Sequence, residues 1–220
     1  MQYIDIHTHH DYQSEEVLNI RNFITGKDEI RSDKPFSMGI HPWFLEVDIS
    51  LLEKSAEENK DNPNWLAVGE CGMDYSPQIL EKFDKKEQEK SFIRQIQLAE
   101  KYNKPLVIHC VRCFDRLLKI KKENQSPKTW IVHGYAKNKA LARQLIEADF
   151  YLSFGARLFK SGSNREALKN TPLNRIFLET DEQNEYGIRE IYQLAAQVKN
   201  VSLQKLKIEI YRNFQYVFIP

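Results

Sequence analysis

The stretch PLVIHCVRCFDRLLKIKKENQSPKTWIVHG, residues 105–134, contains the unit on which the predicted fold depends. It begins with a short apolar run at 105–109, continues at 114–124 with apolar residues at helical spacing, and ends in a second apolar run at 129–133. Two short strands joined by a helix are typical of parallel pairing, because a parallel connection has to cross the whole length of the sheet. The stretch therefore predicts a parallel α/β fold.

The same alternation of strands and helices extends along the chain in both directions. The eight candidate strands are 3–8, 17–24, 36–41, 66–70, 105–109, 129–133, 150–154 and 175–179. The candidate helices are 48–60, 80–102, 114–124, 137–148, 164–170, 187–198 and 202–216. Eight such units predict a TIM-like (β/α)8 barrel. The first two connections, 9–16 and 25–35, are too short or too polar for helices, so we expect shortened N-terminal βα units without early outer helices.

The composition fits a single domain over residues 1–220 and narrows the possible partners. The 32 lysines and arginines nearly balance 31 acidic residues, so the net charge of +1 gives no general attraction for nucleic acid, and phosphate binding must be local. Three cysteines do not make a secreted disulfide framework, and no apolar stretch approaches the length of a membrane span. We expect a cytoplasmic protein without a membrane partner; the sequence does not indicate its oligomeric state.

Potential metal ligands stand at the carboxyl ends of the predicted strands, where the active sites of (β/α)8 barrels lie. Because side chains alternate along a strand, the two imidazoles of the first strand face the same way. The six candidate ligands are His7, His9, Glu70, His109, His133 and Asp181. Each has an ordinary explanation by itself, as a surface pair, a salt-bridge partner, a hydrogen-bonded core histidine or a helix cap. Their joint position at strand ends favours a metal site.

Four histidines and two carboxylates are more than one tetrahedral ion needs, whereas two ions that share a carboxylate would use them all. We therefore expect two divalent metal ions. Zinc, magnesium and manganese remain open, because histidines favour softer ions and carboxylates tolerate harder ones. His41 and Arg112 are candidate substrate-binding residues; the alternatives are a rim histidine beside a turn proline and a plain surface ion pair.

The motifs resemble those of the TatD family of metal-dependent deoxyribonucleases, which belong to the amidohydrolase-like barrels. In family order they are Asp-Ile-His-Thr-His at 5–9, Gly-Ile-His-Pro at 39–42, Gly-Glu-Cys-Gly-Met-Asp-Tyr at 69–75, Pro-Leu-Val-Ile-His-Cys-Val-Arg at 105–112, Val-His-Gly-Tyr at 132–135 and Leu-Glu-Thr-Asp at 178–181. The 69–75 block and the combined order are specific, whereas the first motif alone is shared with many amidohydrolase relatives. The resemblance covers residues 5–181.

The resemblance implies a role for each candidate ligand. His7, His9 and Asp181 would hold one metal, His109 and His133 would hold the other, and Glu70 would bridge both. The chain departs from the family pattern after Asp181, where Glu-Gln-Asn at 182–184 replaces the usual proline, and in its shortened N-terminal unit. Both departures alter the rim that contacts substrate.

The function that these features favour is hydrolysis of a phosphodiester by metal-activated water, with Glu70 and Asp181 as the catalytic carboxylates. The resemblance to the TatD family implies that the substrate is DNA, as a single strand or at its ends. One alternative keeps the two metals but changes the substrate to a small-molecule ester, amide or phosphate, because one barrel and one type of site serve many chemistries. Another alternative is a catalytically inactive metal-binding scaffold.

Overall fold

A computed structural model describes residues 1–10, 14–31, 33–124, 126, 128–182 and 185–219. Its strands are β1 (Tyr3–Thr8), β2 (Val17–Ile24), β3 (Phe36–Gly39), β4 (Trp65–Asp74), β5 (Leu106–Val111), β6 (Trp130–Val132), β7 (Phe150–Phe154) and β8 (Ile176–Leu178). They form one eight-stranded sheet in the order β1 to β8, and the pairs β1–β2, β3–β4, β4–β5 and β7–β8 are parallel. A parallel bridge also joins Thr8 to Asp181. This is the strand order of a (β/α)8 barrel, which confirms the predicted fold class.

The helices that the structure describes include the seven predicted ones and two of four residues each that were not predicted. They are α1 (Ile49–Glu58), α2 (Pro77–Leu80), α3 (Lys85–Lys101), α4 (Phe114–Asn124), α5 (Lys139–Glu147), α6 (Arg157–Lys160), α7 (Gly162–Asn170), α8 (Ile188–Lys199) and α9 (Leu203–Phe218). As expected, no described residue between β1 and β2 or between β2 and β3 is helical; residues 11–13 and 32 of these loops lie outside the described residues. None of the described helices is both long and apolar enough to cross a membrane.

Two elements differ from their predicted bounds by more than two residues at one end. In the charged segment 80–102 the long helix α3 begins only at Lys85, because the side chain of Asp84 accepts hydrogen bonds from the backbone of Lys86 and Glu87 and caps it. Strand β4 runs to Asp74, four residues beyond its predicted end. The glycines of this strand resemble a strand end in the sequence. A side chain at Gly72 would collide with the carbonyl oxygen of His109, so glycine there permits close strand contact and does not stop the strand.

The chain divides into two compact units. The first contains Met1–Arg21 and Ile131–Pro220, and the second contains Asn22–Trp130. The expectation of a single domain over residues 1–220 stays a prediction, and each unit is described in turn.

In the first unit, buried polar side chains attach helices to strands. The hydroxyl group of Tyr192 on α8 donates to the carbonyl oxygen of Ile4 and accepts from its amide, both at 3.0 Å. The side-chain amide of Asn213 on α9 donates to the carbonyl oxygen of Ile176 at 2.9 Å. Because both contacts are buried, leaving them unmade would be costly, and they therefore hold β1 and β8 in place.

In the second unit, aromatic residues fill the core on the outer side of the strands. Trp65 and Trp130 are fully buried, and the ring of Trp130 meets that of Phe92 edge to face, with 5.5 Å between ring centroids. Lys104 and Lys121 lie over the two indoles, with their Nζ atoms at 5.1 and 4.8 Å from the ring centroids. These contacts fix α3 and α4 against β4, β5 and β6.

Two buried glutamines on α3 hold the loops that lead into the predicted site. Gln88 and Gln95 are seven residues apart, which places them on one face of the helix. The side chain of Gln95 accepts from the amide of Ile40 at 2.8 Å and donates to its carbonyl oxygen at 2.9 Å. Gln88 makes the same pair of contacts with the backbone of Asp74, at 2.7 and 3.0 Å. Helix α3 thus fixes the residue before His41 and the end of β4.

Replacing Gln95 with leucine tests this arrangement. The substitution Gln95→Leu keeps the size of the side chain but leaves the buried amide and carbonyl of Ile40 without partners, so we expect a loss of about 2–4 kcal/mol in the free energy of unfolding. Chemical denaturation followed by circular dichroism measures it. The matched control is Gln97→Leu, because Gln97 is exposed on the same helix and should change stability by less than about 0.5 kcal/mol. Equal losses in the two variants would show that Gln95 does not hold the loop.

Candidate metal centre

The first unit brings four of the predicted ligands together in a group that we call the His7 cluster: His7, His9, His133 and Asp181. Ligand atoms of His7, His133 and Asp181 lie within 4.8 Å of one another. The Nε2 atoms of His7 and His9 lie 3.6 and 3.8 Å from the same oxygen, Oδ1 of Asp181. The rings of His7 and His133 are 4.3 Å apart between centroids. The imidazoles of His7 on β1 and of His9 just after it therefore face one carboxylate, as strand alternation predicts.

Backbone contacts place Asp181 beside the end of β1. The amide of Asp181 donates to the carbonyl oxygen of His7 at 2.9 Å, and the amide of His9 donates to the carbonyl oxygen of Asp181 at 3.3 Å. One residue earlier, Thr180 donates from its amide and its hydroxyl to the two carboxylate oxygens of Asp5, at 3.1 and 2.7 Å. Burial raises the pKa of Asp5 to about 7, although the bonds from Thr180 oppose the rise. These contacts fix the backbone beneath the cluster.

The second unit contains a separate group, which we call the Glu70 cluster: His41, Glu70, Asp74 and His109. Oxygen Oε1 of Glu70 lies 2.7 Å from Nδ1 of His109 and 3.1 Å from Nε2 of His41. These two ring nitrogens are 3.3 Å from each other. On the opposite side of its ring, Nε2 of His109 lies 3.2 Å from Oδ2 of Asp74. His41, predicted only as a substrate-binding residue, therefore contacts a predicted ligand directly.

Asp74 orients His109. Burial opposes its ionisation, but hydrogen bonds from His109, Trp43 and Ser76 outweigh this effect and hold the pKa of the Asp74 carboxyl well below its usual range. An ionised Asp74 favours the tautomer of His109 with its proton on Nε2, because that N–H can then donate to the carboxylate. The lone pair on Nδ1 then faces Glu70. A carboxylate behind a ligating histidine is the usual arrangement in metal sites.

Glu179 occupies the corresponding position in the first unit. It is fully buried, its Oε1 lies 3.5 Å from Nδ1 of His133, and it also accepts a hydrogen bond from the amide of Gly134. Neither Glu179 nor Asp74 was among the predicted site residues. The sequence contains a signal for both residues. Glu179 is two residues before Asp181 and Asp74 is four residues after Glu70, and side chains an even number of residues apart on a strand point to the same face.

The chemistry of both clusters fits divalent metal ions. Their donor atoms are imidazole nitrogens and carboxylate oxygens, the groups that zinc, manganese and magnesium take as ligands. Two imidazoles as close as those of His7 and His133 disfavour simultaneous protonation, because the like charges would repel. Neutral rings keep lone pairs available for a metal, and the carboxylate in each cluster would offset part of the charge of the ion.

The predicted substrate residue Arg112 lies just beyond the end of β5. It is exposed, its backbone is in the left-handed region at φ 58°, and it makes no hydrogen bond or ion pair with the residues that the structure describes. Its guanidinium is thus available to a ligand. Of the 182–184 segment that departs from the family pattern, residues 183 and 184 lie outside the described residues.

Comparisons with known proteins identify relatives of the whole chain. A family model described as "TatD related DNase" matches residues 18–219. The mouse "Putative deoxyribonuclease TATDN3" is 28% identical over 196 residues, which cover 84% of this chain and 64% of the mouse protein. The chain therefore spans less than two thirds of that relative. The Escherichia coli K12 "Uncharacterized metal-dependent hydrolase YcfH" is 27% identical over 220 residues, 91% of this chain and 78% of that protein.

A solved structure gives independent support for the fold. The crystal structure of the Escherichia coli K12 TatD homologue YjjV superposes with a TM-score of 0.85, covering 99% of this chain and 98% of that one. The two sequences are 19% identical in this alignment, so the likeness bears on the fold alone.

Proposed function

Because the chain belongs to the TatD-related DNase family, we propose that it is a metal-dependent phosphodiesterase that cleaves DNA, as a single strand or from its ends. The observation that carries the proposal is the donor set: imidazole and carboxylate ligands are gathered at strand ends in both compact units. The name of the mouse relative, a putative deoxyribonuclease, is in line with this activity.

We assign the ligands as the family resemblance implies. His7, His9 and Asp181 would hold one divalent ion, His109 and His133 would hold a second, and Glu70 would serve as a ligand of both. The closeness of His7 and His9 to one oxygen of Asp181 supports the first set, and the short distance between Glu70 and His109 supports these two residues as ligands of the same ion. Metal analysis of the purified protein would distinguish among zinc, manganese and magnesium.

The side chains of the chain then have distinct tasks. Two bound divalent ions would lower the pKa of water and neutralise charge on the phosphoryl group. Asp181, whose side chain is 35% exposed, accepts the proton of the attacking water. Glu70 is 4% exposed and keeps His41 and His109 in place through one oxygen. Arg112 donates paired hydrogen bonds to the phosphate of the substrate.

A cavity beside Asp181 favours an anionic substrate. Its volume is about 240 Å³, and it is lined in the first unit by Gly134, Glu179, Arg157 and Lys160, among others. Lys160 bonds to Glu185, whereas Arg157 is exposed at the cavity. This guanidinium supplies the local positive charge that the net charge of +1 does not provide. The small volume also suits a small phosphate ester, which is the second candidate substrate.

Removing the bridging carboxylate tests the metal-dependent reaction. We expect Glu70→Gln to lower the rate of oligonucleotide cleavage at least about 100-fold, because the amide neither carries the charge nor bridges two ions. The assay follows shortening of an end-labelled single strand with zinc, manganese or magnesium, and with chelator. Glu100→Gln, an exposed position on α3, is the control and should cleave like the unaltered protein. Undiminished cleavage by metal-free Glu70→Gln is incompatible with the proposed reaction.

Replacing Arg112 tests its role in substrate binding. Arg112→Ala should raise KM for the oligonucleotide about ten-fold with little change in kcat, because the contact is made in the ground state and the transition state alike. Arg112→Lys keeps the charge but loses the paired hydrogen bonds, so its KM should lie between those of the unaltered protein and Arg112→Ala. Steady-state kinetics at fixed salt measures the difference, with Arg94→Ala on α3 as the control. An unchanged KM in Arg112→Ala would exclude the contact.

A further inference from the structure

Trp43 differs from the other tryptophans of the chain in its exposure. Trp65 and Trp130 are fully buried, whereas 44% of Trp43 is exposed. It follows the Gly-Ile-His-Pro motif, directly after His41 and Pro42. Because an indole offers a large apolar surface, leaving almost half of it in water is more in keeping with a contact surface than with packing.

The exposed indole is nevertheless held firmly. Its Nε1 donates to Oδ2 of Asp74 at 2.8 Å, the same carboxylate oxygen that faces His109. Its backbone amide donates to Nδ1 of His41 at 3.2 Å. The polar edge of the ring is thus bound to the Glu70 cluster, and the ring cannot turn without breaking a hydrogen bond to a buried carboxylate. A ligand that meets this ring finds it already ordered, which reduces the entropic cost of binding.

The neighbouring rings leave the indole available for parallel stacking. The imidazole of His41 stands at 86° to it, with centroids 4.9 Å apart, and that of His109 at 74°, with centroids 6.1 Å apart. Both contacts are edge to face, so neither imidazole lies flat on the indole. The accessible part of the ring surface can therefore take a planar group in a stacked arrangement.

We propose that Trp43 is a stacking platform for a nucleobase of the substrate, adjoining the phosphodiester that the enzyme cleaves. This inference rests on the proposed function and names the part of the nucleic acid that the site recognises. Stacking on an aromatic side chain binds every base, since each has a flat π surface. It also supplies affinity that counterion release cannot, because the net charge is only +1. Asp74 acts as the positioning residue for both Trp43 and His109.

Tryptophan fluorescence tests the contact directly. Since the other two indoles are buried, a base that stacks on the protein should quench the emission of Trp43 alone. The probe is an eight-nucleotide single strand with phosphorothioate linkages, which are cleaved slowly, added to the metal-loaded protein. We expect saturable quenching by this strand, none by an abasic strand of the same length and charge, and none in Trp43→Leu. Equal quenching by the abasic strand would overturn the inference.

Kinetics on the same two kinds of strand separates stacking from a structural role. With a normal strand, Trp43→Leu should have a KM about ten-fold above that of Trp43→Phe, which also lacks the hydrogen bond to Asp74, equivalent to roughly 1.4 kcal/mol, with kcat differing by less than about two-fold between the two variants. With an abasic strand, Trp43→Leu and Trp43→Phe should have equal kcat/KM, because both have lost the hydrogen bond to Asp74 and there is no base to stack. Trp43→Phe should keep most of the affinity, and Leu51→Ala, which removes an exposed apolar side chain on α1, should change nothing. An equal loss on both strands would contradict stacking.

The two proposals fail in different ways. If the unaltered protein cleaves normal and abasic strands with the same KM, stacking is overturned while the nuclease activity stands. If no strand is cleaved with any of the three metals but quenching still requires bases, the nuclease proposal fails and Trp43 remains a base-binding residue.

Discussion

The proposed site residues of the second unit depend on one constraint, the buried carboxylate of Asp74. Its backbone is held by Gln88, and its two oxygens accept from His109, Trp43 and the amide of Ser76. Because these bonds keep it ionised, it selects the tautomer of His109 and fixes the indole of Trp43 at once. A single acidic side chain at the end of β4 thus sets the direction of a proposed metal ligand and of a candidate substrate contact.

The first unit is organised in the same way by different residues. Glu179 stands behind His133, and Asp5 holds Thr180, the residue before Asp181. In both units the proposed ligands are supported by carboxylates that are buried and hydrogen-bonded. Such support restricts ligand side chains to one orientation before a metal binds, which lowers the cost of ordering them. The donor sets are therefore more than acidic and basic side chains that happen to lie close together.

Most of the fold could be predicted from the sequence because its signals are local. All eight strands and every helix longer than four residues coincide with apolar runs or helical spacing, with ends mostly within two residues. The exceptions have physical causes: Gly72 permits a close approach of strands although it resembles a strand end, and the Asp84 cap divides a continuous charged segment.

The supporting residues were harder to predict, since their roles depend on partners far along the chain. Asp74 meets Trp43 31 positions earlier and His109 35 positions later, and neither contact leaves a trace in the local pattern. The positions of the six proposed ligands at strand ends could be predicted because barrels place functional groups there, a rule that needs no knowledge of individual contacts; their role as metal ligands stays a prediction. The exposed indole of Trp43 has no comparable rule.

Anomalous diffraction from crystals grown with manganese tests the central claim most directly, because it locates each ion without reference to activity. The account predicts two peaks about 3.5–4 Å apart. One should contact His7, His9 and Asp181, the other His109 and His133, and Glu70 should contact both. A single peak, or ions that contact none of these histidines, would contradict the binuclear assignment.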